Sequence, residues 1–87
     1  MTQTGDYSQV ADAQLDILAA GPDVNLYNAV LDVCALILQY PAKAQAVSSA
    51  IATEQGVRMR LAVANHYPYK VFWSTTGPRI EAVFPHP

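Results

Sequence analysis

The sequence predicts an α+β fold, with two or three N-terminal helices packed on one face of a small antiparallel β-meander. Three observations lead there. Apolar residues recur at helical spacing as far as about residue 55. From Val57 the period changes to alternation, which is the period of a strand. Glycine and proline punctuate the chain at Gly21–Pro22, Gly56 and Gly77–Pro78, where turns are needed.

Residues 1–6 read as a frayed terminus. A first helix begins near Ser8 or Asp12. Its apolar residues fall in two neighbouring stripes, Val10, Ala13, Ile17 and Ala11, Leu15, Leu18, and Gly21–Pro22 stops it. Asp23 is a good N-cap for a second helix, since a carboxylate accepts from the free N–H groups of the first turn. This second helix is the most apolar part of the chain, with stripes Leu26, Val30, Val33, Ile37 and Tyr27, Leu31, Cys34, Leu38 side by side. That is wider than the stripe an ordinary surface helix buries, so the helix is expected to be central or covered by a partner, with oligomerisation through it as one outcome. Pro41 ends it or opens the next helix. The Ala-rich run of residues 42–55 reads as a third, weaker helix with Ala44, Val47 and Ile51 inward.

Three strands follow. In the first, Val57, Met59, Leu61 and Val63 face one way and Arg58, Arg60 and Ala62 the other. After a loop over residues 64–68, the second sets Tyr69, Val71 and Trp73 against Lys70, Phe72 and Ser74. The third sets Ile80, Ala82 and Phe84 against Arg79, Glu81 and Val83. Short connections make these three an antiparallel meander.

At 87 residues the chain is one domain, 1–87, and a small one. With 52% apolar and 14% charged residues it is not a disordered chain. No apolar run approaches the ~20 residues of a membrane span. The opening "MTQTGDYSQV" has neither the basic nor the apolar region of a signal peptide. Cys34 is the one cysteine, and a lone thiol in an apolar helix reads as a small core residue in a reducing, cytoplasmic setting.

Charge is unevenly spread. The first 40 residues carry Asp6, Asp12, Asp16, Asp23 and Asp32 and no Lys or Arg; Lys43, Arg58, Arg60, Lys70 and Arg79 all fall later, with Glu54 and Glu81. If the apolar faces of the strands turn toward the helices, Arg58, Arg60, Lys70 and Phe72 share the open face. Guanidinium groups fork onto phosphate and an aromatic ring stacks on a base, so this face suits single-stranded RNA or an acidic protein segment. It is also what the solvated side of any half-buried sheet presents.

The order helix, helix, meander, with the stretches "GVRMRLAV", "YPYKVFW" and "GPRIEAVFPHP", resembles the RelE/ParE superfamily of bacterial toxins. Lys70 in "YKVFW" stands where those toxins often carry arginine, and His86 in "IEAVFPHP" stands at their terminal His or Tyr. The stretch from Ala13 to Pro41 resembles their helical hairpin. The resemblance spans residues 7–87 and its motifs are degenerate. Two departures stand out. The family opens with a strand, for which only Tyr7–Val10 is available, and its ribonuclease branch is rich in Lys and Arg whereas this chain is mildly acidic.

What the resemblance implies is the toxin of a toxin–antitoxin pair. It would bind a cellular target through the basic face (Arg58, Arg60, Lys70, Phe72, Arg79), as the ParE branch binds DNA gyrase, with a cognate antitoxin protein as partner. The alternative is a RelE-like ribosome-dependent mRNA endonuclease. That chemistry needs a base, cations on the phosphoryl group and an acid for the leaving oxygen; Glu54 is the candidate base and His86 the candidate acid, by its near-neutral titration. A non-toxic interaction or oligomerisation domain is a third reading. Nothing in the sequence calls for a cofactor: His66 and His86 lack metal-ligand spacing, His66 reads as a solvated loop residue, Ser48 and Ser49 have no base nearby, and there is no phosphate-binding glycine loop.

Overall fold

The structure, a computed structural model, describes residues 6–87. Three helices, α1 (Gln9–Ala20), α2 (Val24–Gln39) and α3 (Pro41–Ala46), precede four strands, β1 (Ser49–Thr53), β2 (Gly56–Ala62), β3 (Tyr69–Ser74) and β4 (Arg79–Pro85). The strands form one antiparallel sheet in the order β1-β2-β3-β4. This is the expected α+β architecture, with one strand more than the meander read from sequence.

The helix starts follow from their caps. Ser8 Oγ accepts from the Ala11 N–H at 3.0 Å, and Asp23 Oδ1 accepts from the Leu26 N–H at 3.0 Å. Pro41 opens α3 at its first position, where its missing N–H costs nothing. The third helix corrects the reading of residues 42–55: it ends at Ala46, and the rest of the segment is β1 and its turn. Ser48 Oγ donates to the Ala44 carbonyl at 2.7 Å and accepts from Trp73 Nε1 at 3.2 Å. Those bonds tie the end of α3 to β3, and the chain then pairs with β2. Thr53 and Gly56 bracket a two-residue turn, and Gly56 takes φ 111°, a value side-chain-bearing residues avoid.

The expectation of a frayed start over residues 1–6 lies outside the described residues except at Asp6, which is engaged. Its carbonyl accepts from the Ile80 N–H at 2.8 Å, and the Ser8 N–H donates to the Ile80 carbonyl at 2.9 Å. Tyr7 thereby makes a single parallel bridge to Ile80 before α1 begins.

The core lies between the helices and one face of the sheet. Val30, Ile37, Val71, Trp73 and Ile80 have no exposed surface, and Cys34, Val63 and Val83 almost none. On α1 the inward stripe is Ala11, Leu15, Leu18; Val10 and Ile17 face outward. On α2, Leu26, Val30, Cys34 and Ile37 are buried and Leu31 is only half-buried. α1 lies along β4, and α2 lies over β3 and β4, which leaves β1 at the margin of the helical layer. Hence Val57 and Val47, both read as inward, are exposed.

β4 corrects a second expectation. Phe72 pairs with Ala82 but Trp73 pairs with Ile80, so Glu81 is an extra residue, a β-bulge. Strict alternation would put Ile80, Ala82 and Phe84 on one face. The bulge instead sends Ile80 and Val83 into the core and brings Phe84 to the open face, where its ring stacks on Phe72.

Candidate functional site: the open face of the sheet

Directly opposed residues in antiparallel strands project from the same face, so the register assembles the open side. Ile51 opposes Arg58, Arg60 opposes Phe72 and Phe72 opposes Ala82, while Ala62, Lys70 and Phe84 form the next row. Arg58, Arg60, Lys70 and Phe72 therefore do share this face.

At its middle the face is an aromatic and cationic cluster. Phe72 and Phe84 stack with centroids 4.8 Å apart and planes 11° from parallel. The His86 ring meets Phe72 edge-on at 5.2 Å and Phe84 edge-on at 6.0 Å. Arg60 Nη1 lies 3.0 Å from His86 Nδ1. A guanidinium only donates, so Nδ1 is the acceptor and the imidazole carries its hydrogen on Nε2. The tail itself is fixed, because the His86 N–H donates to the Pro68 carbonyl at 2.9 Å.

Beside this cluster is a cleft of about 510 Å³. Ile51, Phe72, Ala82, Phe84 and Val10 give it an apolar lining, and Arg58, His86 and Glu81 supply its charged or titratable groups. Arg58 is steered toward the β1–β2 turn, with Nη1 3.3 Å from the Val57 carbonyl. The Glu81 carboxylate accepts from Ser74 Oγ at 2.8 Å and lies 4.0 Å from Arg79 Nη1. That ion pair is half-exposed and contributes little to stability.

The other sequence candidates lie further out. Lys70 Nζ donates to the Pro68 carbonyl at 3.2 Å and sits 5.2 Å from the Tyr67 ring centroid, so it turns back to the β2–β3 loop. Arg79 sits at the start of β4, paired across from Ser74. Glu54 is exposed in the β1–β2 turn, not at a helix end, and does not line the cleft. His66 is half-buried in the β2–β3 loop. Cys34 is buried in the core, and burial pushes its thiol up to about 12, so it holds its proton at neutral pH and offers no nucleophile. Among the described residues no three His, Cys, Asp or Glu side chains gather as metal ligands. Nor, among the described residues, is any helix long and apolar enough to cross a membrane.

Sequence reading missed Glu81, Phe84, Ile51, Ser8 and Val10 as parts of this face. Phe84 arrives through the bulge and Ile51 through a strand read as helix, while Glu81, set on the side of Arg79 by alternation, is the bulged residue itself. Ser8 and Val10 arrive because Tyr7 bridges to β4. The alternation Ser-Ala-Ile-Ala-Thr was a signal for β1; alanine content masked it.

The chain matches no protein-family model, no curated protein and no solved structure.

Proposed function

We propose that this chain is a target-binding, toxin-like domain of the RelE/ParE kind, engaging its target with the open face of the sheet. The single observation that supports the reading is the convergence there of Arg58, Arg60 and His86 with the stacked Phe72–Phe84 pair, next to a cleft lined mostly by apolar groups. Two guanidinium groups beside an aromatic platform recognise an anionic partner that also carries flat or apolar parts, such as an acidic protein segment. A cognate antitoxin and a cytoplasmic setting belong to the same proposal, the latter supported by the unpaired thiol.

Binding is favoured over cleavage because, among the described residues, no carboxylate in the cleft is free to act as the base. Glu81 is the one carboxylate among the described residues lining the cleft, and Ser74 and Arg79 occupy it. Glu54 stands outside. The contact between Arg60 and His86 keeps mRNA cleavage as the second reading, with an imidazole held beside a phosphate-binding group.

Induced expression in bacteria tests the proposal. Growth should arrest with the unaltered chain and continue with a folded Arg58→Glu/Arg60→Glu variant. Absence of arrest, or arrest undiminished in the charge-reversed variant, refutes it; ribosome-dependent RNA cleavage by the purified chain would move the assignment to the nuclease reading.

A further inference from the structure

The two edges of the sheet are treated differently. The outer edge of β4 is dressed by the chain's own start: Asp6 and Ser8 bond to the Ile80 backbone, and Gln14 Oε1 accepts from the Val83 N–H. β1, at the other end of the strand order, pairs with β2 on one side only among the described residues. It carries no charged residue and no proline, the usual guards of a free edge.

We propose that the outer edge of β1 pairs antiparallel with the same edge of a second copy of this chain, about a twofold axis at Ile51. The argument for a second copy, over an unrelated strand, is that Ser49-Ala50-Ile51-Ala52-Thr53 reads nearly the same in both directions. A twofold interface must be self-complementary. In this register Ile51 meets Ile51 of the second copy, Ala50 meets Ala52, and Ser49 meets Thr53. Each is a favourable or neutral cross-strand pair, and no like charges are opposed. The outward N–H and C=O groups of each strand are satisfied by the other.

A stable interface buries roughly 1,200–2,000 Å² in all, more than a five-residue ladder supplies. Side chains on both faces extend the contact. On the helix side, Val47 is 66% exposed just before β1 and Val57 is 63% exposed opposite Ala52. On the open side, Ile51 and Thr53 line the cleft. Pairing β1 to β1 joins the two sheets into one of eight strands and brings the two clefts together as neighbours across the axis. The inference goes beyond the target-binding reading and does not rest on it.

Sedimentation equilibrium of the full chain over a wide concentration range tests it. The unaltered chain should dimerise. Ile51→Asp and Ile51→Lys should each raise the dimer Kd about tenfold or more by setting like charges face to face, and mixing the two variants should restore dimers. Should either variant lose its far-UV dichroism, hydrogen exchange of the unaltered chain decides instead, with β1 amides expected to gain protection as concentration rises. A chain that stays monomeric to millimolar concentration, a dimer that Ile51→Asp leaves intact, or β1 exchange independent of concentration overturns the proposal.

Discussion

Arg60 and His86 are 26 positions apart in sequence and 3.0 Å apart in the fold. His86 serves here as an acceptor that aims a guanidinium, and a glutamine amide oxygen can do the same. His86→Gln should therefore leave growth arrest and target affinity close to those of the unaltered chain, whereas a general acid contributes roughly 10²–10⁴-fold in rate and its loss would abolish the effect. Growth curves of the two strains, with folding checked by dichroism, separate the outcomes. The same residue could be picked out from the sequence, because an imidazole between two prolines is chemically conspicuous. Arg60 was a candidate too, but its contact with His86 could not be read, since only the sheet register sets Arg60 across from Phe72, within reach of the tail.

At the scale of elements, α2 holds the core by one stripe. Ile37 has no exposed surface whereas Leu31 is half-buried and lies outside the buried cluster. Ile37→Ala should cost about 2–5 kcal/mol and Leu31→Ala well below that range, measured by urea denaturation. Helices α1 and α2 were legible because their caps and stripes are local signals: Ser8 and Asp23 satisfy N–H groups three residues away. β1 was not, because alanine favours a helix in isolation while the choice of strand is made by β2, which the segment meets only after its turn. The face of Phe84 was hidden for a related reason. One inserted residue, Glu81, reverses the alternation of everything after it, and the insertion is fixed by pairing with β3, not by the sequence of β4.

For the molecule as a whole, the described residues bury two groups that resist ionisation. Burial raises Cys34 to about 12, and burial together with the neighbouring Cys34 raises Tyr7 to about 12. Both folded values exceed those of the unfolded chain, near 9.0 for the thiol and 10.0 for the phenol. The unfolded state then releases its protons first. The stability they provide is complete below about pH 9 and is lost as pH climbs through the folded values. Denaturation midpoints should therefore hold level from neutral pH and then fall steadily in alkali, less steeply in a Cys34→Ala variant. An unchanged slope in that variant would mean the thiol does not titrate between the two states.

The parallel bridge from Tyr7 to Ile80 also decides where the molecule can be handled. Ser8 and Val10, close to where the described chain starts, and His86, next to its last residue, line the same cleft. A bulky label attached at Val10 or His86 therefore stands at the rim of the proposed binding face, where it can mask a weak partner or itself be held there. A label at the exposed β2–β3 loop residue Ala64 or Asn65, neither of which lines the cleft, reports on binding without crowding it.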